Sequence, residues 1–106
     1  MTFMPTRCDQ TAPWPLLAAH FDAQGRSLDM RQAFAQDAGR FAHFSQQAPH
    51  VFADLSKNLW SRETEALLLD LARACGVERH RDATLAGEAI NTTENRAVLH
   101  TLLRRP

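Results

Sequence analysis

The sequence predicts a mainly α-helical fold with one short strand, on three observations. Residues 61–75 place leucines at helical spacing between a serine that can cap a helix and a glycine that can end one. Elsewhere apolar residues also recur three and four positions apart, which is the spacing of one helix face. Residues 50–57 alone have the composition of a short extended segment.

Length and composition indicate a single soluble domain. With 106 residues the chain is long enough for one domain and too short for two. Its 44% hydrophobic and 23% charged residues are ordinary for a globular protein. A formal net charge of zero argues against a nucleic-acid or membrane partner held mainly by charge. No apolar run approaches the ~20 residues that span a bilayer, so we expect neither nucleic-acid binding nor membrane association.

The N-terminal residues 1–12 look like a loose arm. They contain no apolar core of a signal peptide, so the cytoplasm is the expected location. The two cysteines, Cys8 and Cys75, lie far apart in the sequence. One disulfide is possible, but the spacing indicates neither a disulfide framework nor a Cys-x-x-Cys site.

Proline and capping residues predict the first two helices. Pro13 is tolerated in a first helical turn because its missing N–H would be unpaired there, so a helix begins near Pro13 and runs through Phe21. Residues 24–27 break the pattern. Ser27 or Asp29 can begin a second short helix, whose apolar face would carry Met30, Ala33 and Phe34.

The segment after the second helix is predicted to bend at Gly39 and to continue with helical spacing through Ser45. Its phenylalanines and the one before the bend are the simplest candidates for core residues. They are Phe34, Phe41 and Phe44.

A short strand is favoured at residues 50–57, where Val51, Phe52 and Leu55 follow Pro49. So short a run fits a helix or a strand, and we favour the strand. An isolated strand would leave its backbone groups unpaired, and the sequence offers no second strand to pair with it. We therefore expect the chain to be structurally incomplete by itself.

Residues 61–75 form the clearest predicted helix. Ser61 can cap it, and Glu63 and Glu65 favour the positive end of the helix dipole. Gly76 is a suitable C-terminal stop. The predicted buried side carries Leu67, Leu68, Leu71, Ala72 and Cys75.

The remaining chain is expected to run from a connector into a last helix. Residues 78–82 would form a charged connector, residues 82–86 a helical turn and residues 87–92 a loop. Thr93 can then cap a helix, and Glu94 favours its positive end. The apolar stripe of that helix would carry Val98, Leu99, Leu102 and Leu103.

This last stretch carries a long motif. Its residues follow the pattern G-E-x-I-N-x-T-E-x-R-A-V-L-H-x-A-L-R, which resembles a segment of the glucose-6-phosphate isomerase family. A run of this length is far more specific than a short motif. The family's alanine near the end is Leu102 here. The matching residues are Gly87, Glu88, Ile90, Asn91, Thr93, Glu94, Arg96, Ala97, Val98, Leu99, His100, Leu103 and Arg104.

Earlier motifs resemble the same family in order and spacing. They correspond to its W-x-x-L-x-x-H-F, its F-A-x-D-x-x-R-F-x-x-F-S, and its D-x-S-K-N, which ends a strand in the family. The resemblance covers about residues 12–105. The residues that carry these motifs are Trp14, Leu17, His20, Phe21, Phe34, Ala35, Asp37, Arg40, Phe41, Phe44, Ser45, Asp54, Ser56, Lys57 and Asn58.

The resemblance implies an isomerase that interconverts glucose 6-phosphate and fructose 6-phosphate in glycolysis and gluconeogenesis without a cofactor. The family's chemistry is ring opening and proton transfer through an enediol, with a glutamate as general base. Its catalytic residues lie downstream of the matched segment, so the resemblance implies no catalytic, cofactor-binding or metal-binding residue here. It implies that residues 1–106 are a single incomplete domain. They would be the N-terminal helical portion of a homodimeric parent with two α/β sugar-isomerase domains.

The five histidines do not predict a metal site. No two are spaced i, i+4 around a glutamate, and no cysteine lies near them at the spacing of zinc ligands. A packed or solvated role is favoured for each, including the one that follows Arg96 by a helical turn. They are His20, His43, His50, His80 and His100.

Two further pairs are also interpreted as structural. Cys75 near His80 lies on the apolar side of a helix, where burial raises the pKa of a thiol. Ser56 and Lys57 would point to opposite faces of a strand, so neither can activate the other. We expect Lys57 and Asn58 to fix a turn.

A polar cluster at the start of the last predicted helix has two interpretations. It can cap the helix and form an ion pair, or it can line a sugar-phosphate site with Arg96 facing an anion. We favour capping and the ordering of an interface. The cluster comprises Asn91, Thr93, Glu94 and Arg96.

Two functional hypotheses follow. The first is an N-terminal part of a glucose-6-phosphate isomerase, which is inactive alone because the family's catalytic residues lie downstream. The leucine stripe of the last helix, which needs a covering surface, supports this hypothesis. The alternative is a free-standing small helical protein that binds a partner, such as an isomerase subunit, through that stripe. A small independent enzyme is least favoured, because the sequence shows no paired acid and base.

Overall fold

A computed structural model describes residues 6–91 and 93–104 of the chain. Over these residues the fold is mainly α-helical, as predicted. Short 3₁₀ turns lie at Cys8–Gln10 and His100–Arg104. The helices are α1 (Pro13–His20), α2 (Met30–Gln36), α3 (Arg40–His43), α4 (Arg62–Ala74) and α5 (Val77–Ala86), and the strands are β1 (Ser45–Ala48) and β2 (Val51–Asp54).

The first two helices confirm the prediction. Pro13 opens α1, and a wider π-helical turn, Phe21–Gly25, continues it. The break at residues 24–27 is where this turn ends. Asp29 caps α2, because its Oδ1 accepts a hydrogen bond from the backbone N–H of Gln32 at 3.1 Å.

The predicted strand is present, and the expectation that it lacks a partner is wrong. β2 pairs with β1 in an antiparallel hairpin, from Ser45 opposite Asp54 to Ala48 opposite Val51. Pro49 and His50 make the two-residue turn, and His50 adopts a left-handed φ of 64° there. The sequence of β1, Ser-Gln-Gln-Ala, lacks the branched and aromatic residues typical of strands, so its composition does not reveal it.

Helix α4 confirms the clearest prediction. Ser61 accepts a hydrogen bond from the N–H of Thr64, and the Thr64 hydroxyl accepts one from the N–H of Ser61 at 3.0 Å, which completes a capping box. Gly76 ends the helix at a left-handed φ of 73°, a conformation that glycine adopts without cost. The predicted buried side of α4 is only partly covered, since Leu68 is still 38% exposed. α4 packs against α1 and α5.

The charged connector predicted at residues 78–82 is wrong, because these residues lie inside α5. The residues predicted to form a helical turn, 82–86, are the end of the same helix. Gly76 separates α4 from α5, and Gly87 ends α5 at a φ of 77°. Charged side chains on an exposed helix face explain the polar pattern of this segment.

The last α-helix, predicted to begin at Thr93, is also wrong, since residues 93–99 are not helical. Asn91 Oδ1 accepts hydrogen bonds from the Thr93 hydroxyl at 2.8 Å and from the Glu94 N–H at 3.2 Å. The backbones of Asn91 and Arg96 then exchange two hydrogen bonds, and Asn95 takes a left-handed φ of 52°. This local turn gives the N–H groups of Glu94 and Arg96 partners within the turn, so these donors need no helix cap. Helical structure returns only as the 3₁₀ turn His100–Arg104.

The core is small. Within the described ranges the buried apolar residues are Phe44 and Ala83. The prediction of three core phenylalanines is confirmed for Phe44, whereas Phe34 is half-buried and Phe41 is 52% exposed. Among helices in the described part of the chain, none is long and apolar enough to cross a membrane.

Candidate docking surface

Most of the large apolar side chains among residues 6–91 and 93–104 are exposed. Leu59 is 69% exposed and Leu103 is 90% exposed. Exposed apolar side chains in this number are typical of a protein whose surface is covered in part by another protein segment. We call the set the apolar surface; its half-exposed or more exposed members are Leu16, Phe21, Phe41, Val51, Phe52, Leu59, Val77, Leu99, Leu102 and Leu103.

One part of the apolar surface forms a groove. Trp14, Leu17 and Phe21 from the first helix and its π-turn face Leu59 across a cavity of about 380 Å³. Gly25 borders the same cavity. A Cβ on Gly25 would lie 2.8 Å from the Phe21 ring, so any larger residue here would require that ring to shift.

Leu59 is held in place by a buried arginine. Arg40 is 3% exposed and donates three hydrogen bonds to backbone carbonyls. Its Nε bonds the carbonyl of Ser56 at 2.8 Å, its Nη2 that of Asn58 at 2.9 Å, and its Nη1 that of Trp60 at 2.8 Å. These bonds fix alternate residues of the loop between β2 and α4, residues 55–61. The side chain of the intervening Leu59 is left pointing outward.

Aromatic rings surround the Arg40 guanidinium. Its carbon lies 4.9 Å from the centre of the Phe44 ring and 5.4 Å from that of Phe34, within cation–π range. Phe44 stacks on Trp60 with ring centres 5.1 Å apart. Trp60 in turn donates its indole N–H to the carbonyl of Leu55 at 3.0 Å. The loop is therefore held both by hydrogen bonds to its backbone carbonyls and by the packing of its Trp60 side chain.

The motif D-x-S-K-N begins at Asp54, the last residue of β2, and continues into this loop. Asp54 accepts hydrogen bonds from both the hydroxyl and the N–H of Ser56, and its carboxylate lies 3.6 Å from Lys57 Nζ. The hydroxyl bond from Ser56 is the main reason that the pKa of Asp54 lies below its ordinary value. Ser56 and Lys57 thus both pair with Asp54 rather than with each other.

Two of the histidines link helices to α4. His20 is 7% exposed, and its Nε2 lies 2.7 Å from the Thr64 hydroxyl. His43 Nε2 lies 3.0 Å from Glu65. His50 lies in the hairpin turn, His80 on α5, and the last histidine in the C-terminal 3₁₀ turn.

The five histidines are therefore spread over different elements. Over the ranges that the structure covers, no three metal-ligating side chains lie close enough together to hold an ion.

The polar cluster near the C-terminus forms a local turn. Arg96 lies 3.6 Å from Glu94, and its side chain is 75% exposed. Asn91 organises this turn through its side-chain oxygen, a role that the sequence interpretation gave to Thr93.

The residue that sequence reasoning missed is Arg40. A charged residue beside a predicted bend looks like a surface residue, and its burial depends on carbonyls 16 to 20 positions away. The available signal was its place in the motif R-F-x-x-F-S.

Comparisons with known proteins place the chain in a family. The family model described as phosphoglucose isomerase matches residues 54–106. The chain is 65% identical to the glucose-6-phosphate isomerase of Albidiferax ferrireducens over 96% of its length, and 64% identical to that of Polaromonas naphthalenivorans over 94%. It is 44% identical to that of Gloeobacter violaceus over 99% of its length. It covers 20%, 19% and 19% of these proteins, so it spans about a fifth of the length of the curated relatives it matches. The chain belongs to the phosphoglucose isomerase family.

Proposed function

We propose that this chain supplies the N-terminal helical portion of a cytoplasmic, homodimeric glucose-6-phosphate isomerase. That enzyme would interconvert glucose 6-phosphate and fructose 6-phosphate in glycolysis and gluconeogenesis, without a cofactor. The family match together with the fivefold greater length of the relatives carries the proposal. The general base, the ring-opening groups and the phosphate-binding loop would come from the remainder of the polypeptide.

The role of this portion would be to support the enzyme's fold. The remaining four fifths of the isomerase polypeptide would cover the apolar surface. Burying a half-exposed leucine contributes roughly 1 kcal/mol, so a surface of this size would stabilise the assembly strongly. The Arg40 contacts would keep Leu59 and the groove beside Trp14 in one conformation before they are covered, which lowers the entropy cost of packing.

A graft tests the proposal. The matched segment of the Albidiferax ferrireducens enzyme is replaced by this chain, and isomerase activity is measured by coupling glucose 6-phosphate formation to its dehydrogenase. We expect the graft to convert fructose 6-phosphate at a rate comparable with the unmodified enzyme, and the 106-residue chain alone to show none.

The same graft made with the segment from the Gloeobacter violaceus enzyme serves as the control, since that donor is 44% identical. If the control graft is active and the graft of this chain is soluble and compact but inactive, the proposed function is wrong.

The docking role is tested at Leu59. Leu59→Asp leaves the stability of the isolated chain within about 0.5 kcal/mol, because the side chain already faces solvent. In the graft it buries a charge and lowers the yield of folded, active enzyme. Leu59→Met is the matched control. It should keep both the stability of the isolated chain and the yield of folded, active enzyme in the graft. Equal behaviour of the two variants in the graft would contradict docking at this position.

The alternative of a free-standing partner-binding protein relied on a leucine-rich C-terminal helix. The structure reduces that helix to the turn His100–Arg104. An isolated chain that is monodisperse and binds no dye for exposed apolar surface would count against the proposal that the chain is an incomplete part of an isomerase.

A further inference from the structure

The two cysteines of the chain, which the sequence leaves far apart, line one cavity. Cys8 and Cys75 both border a space of about 470 Å³, together with His80 and Arg81 from α5. Cys8 is close enough to Cys75 to be one of the groups that raise the pKa of the Cys75 thiol, after burial. Both cysteines are free thiols in the structure.

Local hydrogen bonds fix the backbone at Cys8 and at Cys75. Cys8 begins a 3₁₀ turn, where its carbonyl accepts hydrogen bonds from the Thr11 hydroxyl at 2.7 Å and from the Thr11 N–H at 3.3 Å. Cys75 ends α4, and its N–H donates to the carbonyl of Leu71 at 2.9 Å. The fold therefore places both cysteines on the wall of one cavity, which raises their effective concentration relative to an unfolded chain.

We propose that Cys8 and Cys75 form a reversible disulfide that ties the segment before α1 to the C-terminal end of α4. Their exposures differ in the way that such a site needs. Cys8 is exposed to an oxidant in solution, whereas Cys75 is half-buried beside it. Burial is the main reason that the pKa of the Cys75 thiol is raised, so Cys75 reacts slowly with a dissolved oxidant.

The reaction balances with hydrogen peroxide as the oxidant. The Cys8 thiolate attacks the peroxide and becomes a sulfenic acid, with release of hydroxide. The Cys75 sulfur then attacks the Cys8 sulfur, and water leaves with the Cys75 proton. In sum two thiols and one peroxide give one disulfide and two waters. Two molecules of reduced glutathione reverse the bond in two successive exchanges, through a mixed disulfide, and leave as oxidised glutathione.

The test measures the equilibrium of the whole chain with glutathione buffers, by intact mass and by mapping of the disulfide-linked peptides. The wild-type chain is compared in its native state and in urea. We expect the equilibrium constant for the Cys8–Cys75 bond to be at least about tenfold larger in the native state, because only the fold holds the sulfurs together. Formation of the disulfide lowers the intact mass by two hydrogen atoms. Cys8→Ser and Cys75→Ser should each abolish this change in mass.

Equal equilibrium constants in the native and unfolded states would overturn the proposal. So would native wild-type protein that gives only mixed disulfides with glutathione or only cross-linked dimers. The comparison of native with unfolded wild type needs no variant to fold. It is also independent of whether the chain works within an isomerase.

Discussion

Residues 40–60 and residues 87–104 both resemble the same family, yet different kinds of hydrogen bond hold them. In the first region Arg40 joins residues 16 to 20 positions away. In the second, the described hydrogen bonds join residues no more than five positions apart, as between Asn91 and Arg96. A close sequence match to a family therefore does not mean that a segment is stabilised by the rest of the same chain. The C-terminal region carries the longest motif and also the most exposed leucine, Leu103.

The largest expected difference between the two regions is in apolar packing. Phe44→Ala should lower the free energy of unfolding by about 4 kcal/mol, because it leaves a cavity beside Trp60 and Arg40. Leu103→Ala, its counterpart in the second region, should change it by less than about 0.5 kcal/mol. Urea unfolding followed by tryptophan fluorescence measures both. A similar loss in the two variants would contradict the contrast.

The buried cation should give the next largest effect. Arg40→Met keeps the apolar stem but leaves the carbonyls of Ser56, Asn58 and Trp60 without their donor, at a cost of about 3 kcal/mol. Arg96→Met removes an arginine that is 75% exposed and should cost less than about 0.5 kcal/mol.

Arg40→Lys should rescue little, because an ammonium cannot reach three carbonyls in the geometry of a guanidinium. Full stability of the lysine variant in urea unfolding would mean that charge alone, rather than the three hydrogen bonds, fixes the loop.

The difference between the regions also explains what could be predicted from sequence. Helix α4 was predictable because its cap, leucine spacing and stop all lie within one short stretch from Ser61 to Gly76. The hairpin partner β1 was not, since its residues have no strand-like pattern and are paired only because β2 folds back. The burial of Arg40 was hidden for the same reason, as it depends on distant carbonyls.

The C-terminal error has a local cause. Thr93 and Asn91 can both bind free backbone N–H groups, and sequence alone does not decide between a cap and a turn. The left-handed Asn95 favours the turn, because asparagine tolerates that conformation better than most residues.

The loop held by Arg40 should also show a pH dependence. The pKa of Asp54 is lowered first by the Ser56 hydroxyl bond, so Asp54 contributes stability above its unfolded pKa of about 3.9. This contribution is lost as the pH falls through the lower folded value. Asp54→Asn should therefore flatten the loss of stability below about pH 4.

Ser56→Ala provides the matched test, since it removes the first cause of the shift and leaves the carboxylate. The free energy of unfolding is measured between pH 7 and pH 3 for Ser56→Ala and Asp54→Asn. The two curves should converge in acid, at about the pH where wild type is no longer more stable than Asp54→Asn. If wild type and Asp54→Asn lost stability in parallel, Asp54 would not carry this part of the acid sensitivity.

The smallest expected effect distinguishes a turn from a helix cap at the C-terminus. Asn91→Ala removes the oxygen that accepts from the Thr93 hydroxyl and the Glu94 N–H, and should cost about 1 kcal/mol of local stability. Thr93→Ala removes only one donor to that oxygen and should cost about half as much or less. Amide hydrogen exchange at Glu94 and Arg96 measures both. If Thr93 capped a helix, the order would reverse, because loss of a cap costs about 1 kcal/mol whereas Asn91 would then lie in the loop before it.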